Sequence, residues 1–138
     1  MPLGGLSPDI DMITPYDTTL PLAERKRRGA FYTPEPVVRY LLRATAPRGA
    51  VADLSCGDGA FLRAAAAAGL RVLGIDQDAE ALARARAALG PAAWLREGDG
   101  LAAALPECPD VVLGNPPYLE AKTTDPALKA ACRQRFPA

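Results

Sequence analysis

The residues of this chain best suited to chemistry are Asn115-Pro116-Pro117-Tyr118, which follow the apolar run Val111-Val112-Leu113-Gly114. Neither proline can donate a hydrogen bond to a sheet ladder, so a strand that ends here must turn away from the sheet. The turn leaves a side-chain amide, backbone carbonyls and an aromatic ring at the carboxyl end of a strand, where open α/β sheets place their ligands. A rigid turn with a half-buried tyrosine would explain the same residues.

A second candidate group lies upstream, where the strand-like run 50–54 leads into Ser55-Cys56-Gly57-Asp58-Gly59. Asp76 ends the next strand-like run, 19 residues after Gly57. A strand, a glycine turn and a helix, with an acidic residue ending the next strand, is the general arrangement of a nucleoside-cofactor site. The glycines let the backbone approach the ligand, and Asp76 would accept from ribose hydroxyls. This pattern leaves the identity of the ligand open.

Two features argue against a dinucleotide as that ligand. The third glycine of a dinucleotide site is missing, because Arg63 and Ala64 stand where close helix packing requires one. Asp58 also places a carboxylate beside the helix N-terminus that a pyrophosphate would occupy. Together with Asp53, it suits a cationic cofactor, and S-adenosyl-L-methionine, with its ammonium and sulfonium groups, is such a cofactor.

Composition limits the remaining chemistry. The chain has 138 residues, enough for one domain, and its 16 basic and 16 acidic residues give no overall basic field that would indicate nucleic acid. It has no histidine, which removes the Ser-His and Cys-His nucleophile systems and the usual metal ligand. Cys56, Cys108 and Cys132 match neither a disulfide framework nor a metal site, so we expect reduced thiols and no metal. No membrane segment or export signal is evident, so we expect a cytoplasmic protein.

The elements that must position these residues follow an alternating pattern. Strands are predicted over 50–54, 71–75, 92–95 and 110–113, and helices over about 60–68, 78–89, a short segment through Leu105, and 125–135. Such alternation implies right-handed βαβ units and a parallel sheet.

The part of the chain before the sheet carries further signals. Thr33 is a natural N-cap for a helix with Pro34 at its first position and an apolar stripe of Val37, Val38, Leu41 and Leu42. Residues 1–19 lack periodicity and are predicted to form a flexible leader. A short helix from Leu20 would end in the cluster Arg25, Lys26, Arg27 and Arg28, which is either a solvated face or a set of phosphate contacts.

The order of these motifs resembles the gamma class of amino-methylating DNA methyltransferases, which includes type I modification subunits and bifunctional restriction-modification enzymes. The resemblance covers about residues 20–136 and is carried by Gly29-Ala-Phe-Tyr-Thr-Pro34, Asp53-Leu-Ser-Cys-Gly-Asp-Gly-Ala-Phe-Leu62, Gly74-Ile-Asp-Gln-Asp78, Gly98-Asp-Gly100 and Asn115-Pro-Pro-Tyr118. It implies a Rossmann-like α/β fold that binds S-adenosyl-L-methionine, here with about four parallel strands in the order 3-2-1-4.

The resemblance also implies a role for each cofactor segment. The residues concerned are Phe31, Tyr32 and Thr33 at the methionine end, Asp53 with Ser55, Cys56, Gly57 and Gly59 at the amino and carboxylate groups, Asp76 at the ribose, Gln77 along the adenine, and Asp99 with Gly100, beside Phe61 or Leu101, at the adenine amino group. Purely structural alternatives are Phe61 as a core residue, Asp78 as a helix N-cap and Asp99 as a turn aspartate.

The implied reaction needs no nucleophile from the protein. A target adenine flipped out of the duplex would stack on Tyr118, and the Asn115 side-chain oxygen and the Pro116 carbonyl would accept the two hydrogens of its N6 amine. The amine lone pair would then point at the methyl group, and catalysis would come from positioning and oriented dipoles. Cys56 would be a small buried residue. Related motifs also serve methyl transfer to protein glutamine and to the guanine amine of ribosomal RNA.

The chain departs from the family pattern after the fourth strand. Seven strands and a target-recognition domain are implied, yet residues 20–138 account for four strands and no recognition domain. We therefore expect a truncated or split methyltransferase with weak or no activity alone, a subunit completed by a second chain or a downstream segment, or a cofactor-binding module without catalysis. Binding to DNA through Arg25 to Arg28 alone would be weak and salt-sensitive.

Overall fold

A computed structural model of the protein describes residues 33–118 and 124–137, together with Pro21 and Ala23. Helices and strands alternate along most of the described chain. Their bounds are α1 Glu35–Thr45, β1 Ala50–Asp53, α2 Ala60–Ala67, β2 Arg71–Asp76, α3 Ala79–Leu89, β3 Trp94–Glu97, β4 Val111–Val112 and α4 Pro126–Arg135. In this part of the chain, no helix has the length and apolar character needed to cross a membrane.

The four described strands form one parallel sheet in the order β3-β2-β1-β4. In the register, Val51 lies beside Val72 of β2 and Val111 of β4. This confirms the predicted parallel sheet and its strand order. Because all strands run the same way, their carboxyl ends meet at one edge of the sheet.

The central strands are buried, and helices cover one of their two faces. All four residues of β1 are buried, as are the four central residues of β2. On one face, α1, α2 and α3 contribute to a core whose fully buried members include Val38, Leu62 and Leu82. The opposite face carries a smaller cluster in which Trp94 and Leu105 pack against the sheet. Burial on both faces agrees with the apolar run Ala50-Val51-Ala52 that leads to Asp53 at the end of β1.

β4 is only two residues long, and side-chain hydrogen bonds help to hold it in the sheet. The backbone N–H of Asp110 donates to the Ala50 carbonyl at 2.8 Å, and its carboxylate accepts from the N–H of Arg48 at 2.9 Å and from that of Gly49. At the other end, the N–H of Leu113 donates to the Ala52 carbonyl at 2.9 Å. β4 therefore reaches the carboxyl edge in register with β1.

The predicted start of α1 was wrong. Thr33 does not cap the helix; the N-cap is Pro34, whose ψ of 138° is extended and whose carbonyl accepts from Val37 and Val38. The proline that lies in the first helical turn is Pro36, where its missing N–H costs nothing. Within the predicted stripe Val38 is buried, whereas Val37 faces solvent.

The predicted helical segment through Leu105 was also wrong. The chain there makes only a turn, in which the N–H groups of Ala102 and Ala103 both donate to the Asp99 carbonyl. One turn gains too few hydrogen bonds to offset the cost of helix nucleation, and Pro106 follows at once. Leu105 instead packs beside Trp94 on the sheet.

Candidate functional site

The loops that follow all four strands meet at the carboxyl edge of the sheet, and hydrogen bonds tie the loops after β1 and β3 to the end of β2. The N–H of Cys56, in the loop after β1, donates to the Ile75 carbonyl of β2 at 2.9 Å. The N–H of Gly98, after β3, donates to the Asp76 carbonyl at 2.9 Å. The edge is therefore one connected surface, as the parallel topology predicts.

Asp76 is the residue that joins the first two loops. One carboxylate oxygen accepts from the Gly57 N–H at 2.7 Å, and the other accepts from the Asp78 N–H at 2.8 Å. Each oxygen keeps further lone-pair capacity, and the side chain is only half-buried. Asp76 is thus held in place by the backbone and can still accept hydrogen bonds from a ligand.

The glycine turn adopts a conformation that its sequence requires. Gly57 has φ 53° and Gly59 has φ 88°, both in the left-handed region that side chains disfavour. The N–H of Gly59 donates to the Cys56 carbonyl at 2.8 Å, and Gly59 is the N-cap of α2. Addition of a Cβ at Gly57 would meet no atom within 4 Å, so backbone conformation is the reason for glycine there.

Asp53 is the most unusual group at this edge, because it is a carboxylate with only 2% of its surface exposed. Its Oδ1 accepts from the Ser55 N–H at 3.0 Å. Burial raises its pKa from 3.8 to about 7; the Ser55 hydrogen bond opposes this shift, and the charge of Asp76 adds to it. No cationic side chain of the described residues pairs with it. The site is therefore suited to a cationic ligand.

Asp58, which we also expected to favour a cation, already has a cationic neighbour. Arg63 lies 3.4 Å from its carboxylate and also donates to its backbone carbonyl. Asp58 directly precedes the N-cap Gly59 and Arg63 lies in α2, five residues further along, an ion pair that the sequence analysis did not predict. Arg63 therefore offsets the charge of Asp58, whereas Asp53 and Asp76 pair with no cationic side chain of the described residues.

Cys56 is buried, as predicted, and all three cysteines are free thiols. Burial, followed by the negative charges of Asp53, Asp76 and Asp58, raises the pKa of the Cys56 thiol far above its usual range. A thiol that stays protonated is a poor nucleophile. Cys56 therefore contributes packing and its backbone to the site.

Two glycines bring the later loops against the end of β1. At Gly100 an added Cβ would lie 2.0 Å from the Leu54 carbonyl oxygen. At Gly114 it would lie 2.5 Å from Oδ1 of Asp53. No role was predicted for Gly114, although a glycine that directly ends an apolar strand indicates a close approach of the backbone to another group.

The remaining predicted residues occupy three kinds of position. Gln77 and Asp99 are exposed at the carboxyl edge, and Asp99 accepts from the Leu101 N–H at 2.9 Å, as a turn aspartate does. Asn115 is half-buried after β4, whereas Pro116, Pro117 and Tyr118 are exposed. Thr33 is half-buried ahead of α1. Phe31, Tyr32 and the cluster Arg25 to Arg28 lie outside the described residues.

The raised pKa of Asp53 predicts how stability depends on pH. Between pH 3.8 and about 7 the unfolded chain has lost this proton and the folded protein retains it, so the free energy of unfolding falls as pH rises through this window. Asp53→Asn removes the charge and keeps an acceptor for Ser55. At pH 8 it is expected to raise the free energy of unfolding by up to about 4 kcal/mol.

Urea unfolding at pH 8 and pH 4 measures this effect. The two proteins should converge at pH 4, where Asp53 is protonated. The matched control is Asp125→Asn, because Asp125 is an exposed N-cap of α4 and asparagine caps equally well. If Asp53→Asn raised the free energy of unfolding at pH 8 no more than Asp125→Asn does, the prediction would be wrong.

Comparisons with known proteins come from the sequence and from solved structures. A family model described as a methyltransferase domain matches residues 51–135. None of the curated proteins compared with the chain matches it. Among solved structures, the chain is similar to an RNA methyltransferase from Salinibacter ruber in complex with S-adenosyl-L-homocysteine, with 31% identity over 53% of each chain and a TM-score of 0.46.

It is also similar to the glycopeptide N-methyltransferase MtfA complexed with sinefungin. That match has 24% identity, a TM-score of 0.51, and covers 60% of this chain and 36% of the other. The chain therefore spans about half and about a third, respectively, of the two structures. The second likeness agrees with the Rossmann-like sheet described above.

Proposed function

Since the chain belongs to the family of methyltransferase domains, which transfer a methyl group from S-adenosyl-L-methionine, we propose that the carboxyl edge of its sheet binds this cofactor and presents it to an amine. The observation that carries the proposal is the pair of carboxylates Asp53 and Asp76. One is buried without a cationic partner in the described chain, and the other is fixed by two backbone N–H groups.

The residues at this edge fit the cofactor in charge and in hydrogen bonding. Asp53 would neutralise the ammonium group, and the backbone from Ser55 to Gly59 would lie along the amino-acid part. Asp76 would accept from the ribose hydroxyls with the lone pairs that Gly57 and Asp78 leave available. When bound, S-adenosyl-L-methionine supplies an electrophilic methyl group.

Other contacts with the cofactor are proposed from the resemblance. Gln77 would lie along the adenine, and Asp99, with Gly100 beside it, would accept from the adenine amino group. Phe31, Tyr32 and Thr33 would contact the methionine end. The exposure of Gln77 and Asp99 at the edge leaves them accessible to a ligand, which supports this part of the proposal.

For the acceptor, we propose the exocyclic N6 amine of adenine in DNA. Asn115 and the Pro116 carbonyl would accept its two hydrogens and orient the lone pair. Tyr118 has 69% of its surface exposed, which leaves its ring available to stack on a flipped base. The Phe31-Tyr32-Thr33-Pro34 segment, which resembles the gamma-class arrangement, is what favours adenine over the other planar amines.

DNA binding would require more than this chain's own cations. The cluster Arg25 to Arg28 would contribute a few phosphate contacts, and a second chain or a downstream segment would add the remaining strands and the recognition of a target sequence. The neutral net charge supports this division, because specific DNA binding uses many phosphate contacts.

A transfer assay with tritiated S-adenosyl-L-methionine tests the acceptor. The protein is offered duplex DNA, ribosomal RNA and a glutamine-containing peptide in parallel, at low salt to favour weak DNA contacts. We expect slow labelling of adenine in the DNA and background label on the other two. Label confined to the peptide or to RNA guanine would replace adenine as the substrate while leaving the cofactor assignment in place.

A further inference from the structure

Gly114 occupies a position where space, rather than backbone conformation, requires glycine. An added Cβ would lie 2.5 Å from Oδ1 and 3.0 Å from Cγ of Asp53, and ordinary contact begins at 3.4 Å. Gly114 is not among the glycines with positive φ, so an alanine there would be strained only by this contact. The backbone directly before Asn115 is therefore packed on the Asp53 carboxylate.

The same carboxylate oxygen contacts the loop after β1. Oδ1 of Asp53 accepts from the Ser55 N–H at 3.0 Å. The same Oδ1 is the heavy atom nearest to the position that a Cβ on residue 114 would take. Asp53 is 2% exposed, so the carboxylate cannot swing into solvent to make room. One buried group thus sets the separation between the glycine turn and the segment Asn115-Pro116-Pro117-Tyr118.

We infer that Gly114 is a positioning residue for methyl transfer: its missing side chain lets the acceptor segment lie on Asp53, which fixes Asn115 relative to the cofactor. This role rests on the proposed function, in which Asp53 holds the cofactor's ammonium group. Displacement of a reacting group by about 1 Å can cost about 100-fold in rate, so a contact of this kind has a large effect on catalysis.

Gly114→Ala tests this role, because its methyl group must push the acceptor segment away by roughly 1 Å. At saturating cofactor and acceptor, the transfer rate is expected to fall about 100-fold, while the Kd for S-adenosyl-L-methionine stays within a few-fold of wild type. Gly100→Ala provides the contrast. Its Cβ would meet the Leu54 carbonyl on the cofactor side, so it is expected to weaken cofactor binding.

A double-mutant cycle in thermal unfolding tests the contact without any transfer assay. Gly114→Ala should lower Tm in the wild-type background and lower it much less in an Asp53→Ala background, where the added methyl group has room. Equal losses of Tm in both backgrounds would show that the contact with Asp53 does not exist.

The remaining outcomes separate this inference from the proposed function. A folded Gly114→Ala protein that keeps the wild-type transfer rate would overturn the positioning role alone. If Gly114→Ala lost as much affinity for the cofactor as it lost transfer rate, the positioning role would also be overturned, because Gly114 would then act in cofactor binding. Wild-type protein that binds no S-adenosyl-L-methionine would remove the proposed function, and the role of Gly114 with it, whatever the Tm cycle shows.

Discussion

Asp76→Ala is expected to weaken the binding of S-adenosyl-L-methionine about 100-fold or more. The substitution removes two acceptors for the ribose hydroxyls, and hydrogen bonds to a charged group contribute about 1.5–3 kcal/mol each. It also removes the acceptors of the Gly57 and Asp78 N–H groups, which hold the two loops together. Both effects act on the cofactor site, so titration calorimetry with the cofactor measures their sum.

The control for this variant is Glu107→Ala, which removes the same charge far from the site. Glu107 pairs with Arg71 at 2.8 Å, and Arg71 lies at the opposite end of β2 from Asp76. An exposed ion pair of this kind contributes little to stability. The control should bind the cofactor as wild type does. Equal affinity of Asp76→Ala and Glu107→Ala would exclude Asp76 from the site.

Asn115→Ala is expected to reduce methyl transfer about 100-fold or more and to leave the Kd for the cofactor unchanged. The side-chain oxygen is proposed to accept from the amine of the acceptor, so its removal takes away one oriented dipole from the transition state. Single-turnover transfer of tritium to the acceptor labelled best by the wild-type protein gives the rate. Calorimetry gives the Kd on the same preparations.

The matched control for Asn115→Ala is Glu97→Ala, which truncates an exposed side chain at the carboxyl end of β3 that has no assigned role in the site. It tests whether any truncation at the carboxyl edge slows transfer. If Asn115→Ala lost no more rate than Glu97→Ala, the acceptor role of Asn115 would be wrong. If Asn115→Ala lost cofactor affinity in proportion to rate, Asn115 would belong to the cofactor site instead.

The parallel sheet and the gathering of the site at one edge were predictable from the residues, and the strand order was implied by the family resemblance. Asp53 and Asp76 each end a continuous apolar run, and parallel strands bring such ends together whatever the details of packing. The N-cap role of Asp78, named as its structural alternative, is likewise present, with its side chain accepting from Glu80 and Ala81. The gathered site and this cap depend on local pattern and on parallel topology.

The features that the sequence did not reveal depend on contacts between distant segments, or on which of two nearby prolines occupies the first turn of a helix. Gly114 meets Asp53 only because β4 pairs with β1 in one register, and a shift by one residue would abolish the contact. Thr33 had the chemistry of an N-cap, but the extended conformation of Pro34 placed the helix start one residue later, at Glu35. Propensity alone does not decide such cases.

The structure distinguishes two aspartates, Asp53 and Asp58, to which the sequence analysis assigned the same role. Asp53 ends β1 and Asp58 lies in the glycine turn that follows, and both side chains are largely buried, yet they have different partners. Asp58 lies beside Arg63, whereas Asp53 has a backbone N–H and the nearby charge of Asp76. A cation that neutralised Asp53 would lower its pKa again, so the binding of a cationic ligand is coupled to the protonation of this buried carboxyl group.

The most direct test of cofactor binding at this edge is a titration of the ¹⁵N-labelled protein with S-adenosyl-L-methionine, followed by two-dimensional NMR. We expect saturable changes with one cofactor per chain, largest for the backbone N–H groups of Ser55, Gly57, Asp78 and Gly100, and small changes in α1 and α4. The absence of saturable change, or changes centred on α1 or α4, would contradict the assignment of the carboxyl edge as the cofactor site.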